Sequence, residues 1–221
     1  MPRKLKPSKL LVHVFYEGET EQAYAKFLKK KFSDVAVIEI AKKTGLFPYA
    51  DKLFKNENKY KNAAEAIDEI WFFFDVERND VAKWDARLKI IKHLRKLRKK
   101  PNIKVRLLMT TGCIEYWLTL HFKNHAPLVN TEPEKINMLK LVQQYEPTYK
   151  KGDSNSIFKI AENYKTAMKN AQSNLKNMLS DGLPCLEDTD ERNKWLHTEC
   201  KTFSTVFEAI QYLENINSSE T

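Results

Sequence analysis

Ile70-Trp71-Phe72-Phe73-Phe74-Asp75-Val76-Glu77 is the stretch that decides the fold. Five successive large apolar residues are too few for a core helix and show no polar alternation. They read as a strand buried on both faces, and such strands belong to parallel sheets covered by helices on either side. The run stops abruptly at Asp75, so an acidic group sits where the strand ends.

Working outward, the flanking segments supply the partners that such a strand needs. Leu10 to Tyr16 is apolar, aromatic and β-branched, and stops at Glu17-Gly18. Thr20 to Phe32 carries Ala23, Phe27 and Leu28 at helical spacing, with Thr20 as N-cap. Val35 to Ile40 is a second strand. Helical sequence continues through Tyr60, and a shorter helix from Ala63 leads into the third strand. A basic helix from Val81 to Lys99 ends before Pro101, and Ile103 to Met109 forms a fourth strand. This βαβα rhythm predicts an α/β fold with a mostly parallel central sheet flanked by helices.

After Thr111 the pattern becomes helical, over Glu115 to Phe122, Pro133 to Tyr145, Ser156 to Leu179 and Thr202 to Glu214. A short strand near Leu128 stays open. The expected organisation is an α/β core over residues 1–111 and a helical part over residues 112–221, packed as one unit.

The 221 residues include 38 Lys and Arg against 29 Asp and Glu, a net charge of +9, which points to an anionic partner, nucleic acid first. Only 5 residues are glycine, where a usual share is roughly 7%. Gly18, Gly45, Gly112, Gly152 and Gly182 lie far apart, so neither a G-x-G-x-x-G turn nor a Walker-type loop can be built. Phosphates would have to be met by side chains or metal ions. No apolar run is long enough to span a bilayer, and the basic start, Met1 to Lys9, lacks the apolar region of a secretion signal. Cys113, Cys185 and Cys200 do not suggest a disulfide framework, and a cytoplasmic location without membrane contact is expected.

In an open parallel sheet, ligands bind beyond the carboxyl ends of the strands. The first strand is followed there by Glu17-Gly18-Glu19-Thr20-Glu21, and the third by Asp75-Val76-Glu77. Gly18 would let the chain turn tightly behind Glu17. Glu21 lies one helical turn further on, and Asp75 and Glu77 share a face of an extended segment. Gathered carboxylates repel unless a cation neutralises them, and hard oxygen ligands suit Mg²⁺ or Mn²⁺. The simpler reading is that acidic residues such as Glu19 and Glu21 favour a helix start through the dipole.

These two acidic segments resemble the Toprim arrangement of topoisomerases, primases and OLD-family nucleases. A third segment narrows the resemblance: Thr111-Gly112-Cys113-Ile114-Glu115-Tyr116-Trp117-Leu118-Thr119-Leu120-His121-Phe122. It is similar to the Pro-Cys-Phe-Glu-x-Trp-Leu-Leu-Leu-His-Phe signature of RloB-like proteins, a family linked to the abortive phage-resistance protein AbiLii. Tyr149-Lys150-Lys151-Gly152 resembles that family's Tyr-x-Lys-Gly stretch. The resemblance implies a Toprim-like fold, a role in anti-phage defence, Glu17 as the acid/base carboxylate, and Asp75 with Glu77 as the metal pair. Glu77 stands where the Toprim pattern usually has Asp, and its extra methylene displaces the carboxylate. Gly112 stands where the family often has Asn or Pro. Glu115 matches a family position and is either a further ligand or an N-terminal cap.

The expected activity is therefore Mg²⁺-dependent cleavage of DNA or RNA, with Glu17, Asp75, Glu77 and Glu115 as catalytic candidates and Glu17, Glu21, Asp75 and Glu77 as metal ligands. Lys89, Lys92, Lys96 and Lys99 recur along one helix face, opposite Val81, Trp84, Leu88 and Ile91, and would meet a phosphate backbone. Lys150 and Lys151 would neutralise a phosphate. Alternatives are a non-catalytic module binding a metal, nucleotide or defence-system partner protein, and a nucleotidyl- or phosphotransferase. His121 with His125, and Cys185 with His197 and Cys200, are weaker metal candidates with no supporting motif.

Overall fold

The computed structural model describes residues 9–98 and 101–219. The fold is α/β: four strands, β1 (Leu10–Tyr16), β2 (Ala36–Ile40), β3 (Glu69–Val76) and β4 (Lys104–Thr111), form an all-parallel sheet in the order β2-β1-β3-β4. Between them run α1 (Glu19–Lys31), α2 (Phe47–Asn56), α3 (Asn58–Ala63) and α4 (Trp84–Arg95), the last preceded by a 3₁₀ turn over Arg78–Lys83. Beyond β4 the chain is helical: α5 (Ile114–Thr119), α6 (Glu132–Tyr145), α7 (Ser154–Ala161), α8 (Tyr164–Asn177), α9 (Asp190–Glu199) and α10 (Val206–Ser219).

The apolar run of β3 is buried throughout, from Ile70 to Phe74, because helices cover both faces. Alternation along the strand sorts its side chains. Phe72 stacks on Phe47 of α2 at 4.1 Å between centroids, and Phe74 meets Phe47 edge-on. On the other face Phe73 packs edge-on against Tyr24 of α1, which also meets Trp117 of α5. The outer edge of β4 is closed by the segment before α10: Thr111 N–H donates to the Phe203 carbonyl at 3.0 Å, and Thr205 N–H to the Met109 carbonyl at 2.9 Å.

Several expectations need correction. Thr20 does not cap α1; Gly18 occupies the N-cap, and the Thr20 hydroxyl instead accepts from the Gly152 N–H at 3.0 Å. Gly18 is extended, at φ −130°, so it supplies space and not a left-handed turn: an added Cβ would lie 2.8 Å from a Glu21 carboxylate oxygen. The helical stretch up to Tyr60 is broken into α2 and α3, with non-helical chain before Phe47, and the helix expected from Ala63 is only a turn. The basic helix ends at Arg95, short of Lys99, which lies outside the described residues. The long helix over Ser156 to Leu179 divides at Glu162-Asn163 into α7 and α8. Leu128 sits outside any strand and is 68% exposed. Helix α9 was missed, although Thr189 followed by Asp190 and Glu191 is a helix-start signal; the Thr189 hydroxyl accepts from Arg192 N–H at 3.1 Å.

Helix α9 carries the most deeply buried cation among the described residues. Arg192, with no exposed surface, pairs with Glu208 of α10, donates to Asn193 and the Leu186 carbonyl, and lies near Asp188. Gly112, after β4, is required where it stands. Its φ is +75°, and an added Cβ would fall 1.9 Å from the Val129 carbonyl oxygen.

Candidate active site

From β1 the chain moves out to β2, then returns past β1 to β3 on its other side. That reversal places the crevice of the sheet at the carboxyl ends of β1 and β3. Glu17 directly follows β1, and its N–H donates to the Phe73 carbonyl at 3.1 Å. Across the gap, the Asp75 N–H donates to Glu17 Oε2 at 3.0 Å. The two strand ends are thus tied together by one of the candidate carboxylates.

Asp75 shares the strand parity of Trp71 and Phe73, and so belongs to the sheet face covered by α1 and α5. Those helices bring Glu21 and Glu115, each in the first turn of its helix, and both are buried. Burial raises the Asp75 carboxyl well above the usual carboxylate range, and the charges of Glu21, Glu17, Glu115 and Glu77 add to it in that order. Asp75 Oδ1 is buried with no hydrogen-bond partner. Glu21 is pushed up to about 7, first by burial and then by Glu17 and Glu115, with the backbone N–H groups of Glu21 and Gly18 opposing. Glu17 keeps open surface, yet partial burial of its carboxylate raises its pKa, with the Asp75 N–H opposing and the charge of Asp80 adding.

Cations stand at the rim of this acidic centre. Lys135 of α6 donates to Glu77, and both line a hollow with Asp75 and Lys151. Lys151 lies 3.4 Å from Glu115, which also accepts the Tyr149 hydroxyl at 2.9 Å. The charge of Glu115 acts on Asp75 and Glu21; the side chain of its N-cap residue, Cys113, makes no capping bond. Lys150 is exposed. Lys135 was not singled out by the sequence, since nothing in its local pattern separates it from the other lysines.

The donor chemistry suits a hard divalent cation: an orphaned buried carboxylate oxygen on which the charges of four carboxylates act gains most from positive charge. As placed, however, no group of three or more His, Cys, Asp or Glu side chains among the described residues is assembled to hold an ion. Glu77 is drawn to Lys135.

On the other side of the crevice, Glu17, Asp80 and Arg87 line a second hollow with Phe47 and Pro48. Arg87 donates to Asp80 at 2.5 Å and meets His197 Nε2 at 2.5 Å, its guanidinium lying over the Phe47 and Phe74 rings. Burial, and then Arg87, lower the His197 pKa to about 4, so its ring is neutral. Arg87 and His197 belong to α4 and α9, distant in sequence, and no motif links them.

The basic helix face lies elsewhere. Helix α4 starts beside the crevice, where Arg87 meets Phe74, and runs back along the sheet. Its Arg95 carbonyl accepts from Ile103, just before β4 begins. A 12-residue helix spans about 18 Å. Lys89, Lys92 and Lys96 are exposed, but they lead away from the carboxylates. His121 is buried against Tyr24 and the Trp117 carbonyl, while His125 bonds Thr119 at 2.6 Å; they share no ligand position. Cys113, Cys185 and Cys200 are free.

A family model described as RloB-like protein matches residues 12–213. No curated protein and no solved structure matches the chain. No helix among the described residues is long and apolar enough to cross a membrane.

Proposed function

The chain belongs to the RloB-like protein family, and from that premise we propose that it is a metal-dependent nuclease of Toprim type, cleaving phosphodiester bonds in DNA or RNA during anti-phage defence. One observation carries the reading: Asp75, half-buried at the crevice of a parallel sheet, has a buried carboxylate oxygen with no partner, and the charges of Glu21, Glu17, Glu115 and Glu77 all act on it. A structural ion pair does not explain such a cluster, since like charges packed together only destabilise the fold. A site that must attract a divalent cation explains it.

Glu17, Asp75 and Glu21 would hold Mg²⁺ or Mn²⁺, with Glu77 joining when it leaves Lys135. When bound, the ion would polarise the phosphodiester and favour ionisation of water. The chain's own groups do the rest. Glu17, raised in pKa and still open to solvent, would be the group that takes up or releases a proton at its carboxylate. Glu115 is fixed by Tyr149 and Lys151, so its charge is oriented and not mobile. Lys135 and Lys151 supply positive charge on the phosphate side of the crevice.

Asp75→Asn and Glu17→Gln test this against the wild type on plasmid, single-stranded DNA and transfer RNA, with and without Mg²⁺ or Mn²⁺. Cleavage that requires the ion and disappears in both variants is expected; wild-type rates in both would sink the reading. The Lys135 contact on Glu77 favours a second reading, a non-catalytic module that binds a metal-bound nucleotide or a partner protein of a defence system. Calorimetry showing nucleotide binding without turnover would support that one, and new products from nucleoside triphosphates would indicate transfer chemistry instead.

A further inference from the structure

A second basic feature, on the opposite side of β1 from Asp75, was not visible as a run in the sequence. Lys42 and Lys43 follow β2, Lys52 lies on α2 and Lys59 on α3. Together with Tyr49 and Tyr60 they line one hollow. All four lysines are exposed, and none has a carboxylate within ion-pair distance among the described residues. The hollow contains a single acidic residue, Glu57. Unpaired lysines occur elsewhere on the surface too, Lys89, Lys92 and Lys96 of α4 among them; what sets these four apart is that they line one concavity.

Four ammonium groups around one concavity repel one another, and the single carboxylate of Glu57 offsets only part of that charge until an anion arrives. The position is as informative as the charge. The β2–α2 loop that carries Lys42 and Lys43 folds onto the end of β1, where Gly45 N–H donates to the Tyr16 carbonyl at 3.2 Å, one residue before Glu17. Lys42 and Lys43 therefore stand at the same end of the sheet as the acidic centre, while Tyr60, with Lys59 beside it, lies further back along β1, where Tyr60 meets His13. The two tyrosines give the hollow partly apolar walls; Tyr49 packs edge-on against Phe15, and Tyr60 against Phe54, so both are held in place.

We propose that this lysine and tyrosine hollow is an anchoring site for backbone phosphates of the nucleic acid strand, on the β2 side of the proposed cleavage centre. The inference rests on the nuclease reading for the identity of the strand, but the binding it describes needs no turnover. It moves the expected backbone footprint from the α4 face, which leads away from the site, to the loop beside Glu17.

The test is equilibrium binding in EDTA, where cleavage is silent. The full chain and a Lys42→Gln, Lys43→Gln, Lys52→Gln, Lys59→Gln variant are titrated into labelled single-stranded DNA, single-stranded RNA and duplex DNA over a series of salt concentrations. A parallel variant carries Lys89→Gln, Lys92→Gln and Lys96→Gln. Each phosphate contact on a single strand contributes about 0.7 to the log–log salt slope. The hollow variant should bind at least tenfold more weakly, with a slope shallower by up to about 3, while the α4 variant stays near wild type. Unchanged affinity and slope in the hollow variant, with a melting temperature showing it folded, overturns the proposal. Loss confined to the α4 variant overturns it too. If triphosphate or pyrophosphate binds in the hollow and no oligonucleotide does, the strand assignment is overturned in favour of a free-phosphate ligand. If the lysine-dependent slope is found but no metal restores cleavage, the anchoring site stands and the nuclease reading falls.

Discussion

The backbone N–H of Asp75 donates to the side chain of Glu17 at 3.0 Å, so the ends of two neighbouring parallel strands are joined through a group proposed to act in catalysis. The bond leaves Asp75 itself without compensation: its Oδ1 is buried and unpartnered, and the charges of four carboxylates act on it. Repulsion within this centre is the property from which most of the expected behaviour follows.

Asp75→Asn should separate stability from function. The amide keeps the shape and removes the charge that burial and four neighbours oppose. Thermal melting without divalent ions should show the variant at least as stable as wild type at pH 8, with about 2–4 °C gained per kcal/mol of relief. Metal-dependent cleavage should fall to background. A large loss of stability would show that Asp75 is a structural partner instead.

Glu21 sets the sign of a pH effect. Its folded pKa, about 7, lies above the ordinary 4.5, so the folded state binds the proton more tightly than the unfolded one. Its contribution is fully present below pH 4.5 and is lost as pH rises through 7. The loss approaches about 3 kcal/mol at most, or roughly 6–12 °C for a chain of this size. Comparing melting of wild type and Glu21→Gln from pH 5 to pH 8 isolates this group: the wild type should weaken relative to the variant as pH rises. Parallel profiles would refute it.

Lys135→Gln should tighten Mg²⁺ or Mn²⁺ binding. The lysine neutralises Glu77, and removing it frees a carboxylate and leaves one more unit of net negative charge beside Asp75. Calorimetric titration should show affinity rising several-fold, on the order of 1 kcal/mol, while nucleic acid binding weakens. Weaker metal binding in the variant would mean that Lys135 holds the site in its working shape.

Gly112→Ala should be costly at a turn that lines the hollow with Asp75 and Glu77. The residue holds φ +75°, and the new Cβ would meet the Val129 carbonyl at 1.9 Å. Strain of that kind costs about 1–3 kcal/mol before any clash is counted, and the turn carries β4 into α5, and hence Glu115. Urea unfolding should register a loss of at least about 2 kcal/mol, with metal affinity reduced in the folded fraction. Full tolerance would show that the β4–α5 turn relaxes freely.

Particular elements show how far the sequence reading reached. The strands were legible because a buried parallel strand is written in consecutive residues: the β1 bounds agree, and Ile70 to Phe74 lies wholly within β3. Helix ends were less so. Thr20 has the chemistry of a cap, but its hydroxyl serves Gly152, 132 residues away. The basic face of α4 was legible because its lysines are periodic, yet periodicity carries no information about which end of the sheet a helix approaches.

From the sequence alone came the α/β class, the parallel sheet and the acidic groups at the ends of the first and third strands. These depend on runs of neighbouring residues, whose burial pattern and strand parity are local properties. Only the tertiary structure decided which of those groups lose water and which acquire partners. Glu21 and Glu115 become part of Asp75's surroundings because α1 and α5 cover the same sheet face. Lys135 reaches Glu77 from a helix 58 residues on, and four scattered lysines become one hollow. Electrostatic energy depends on separation in space and on the surrounding dielectric, and neither is written in the order of residues along the chain.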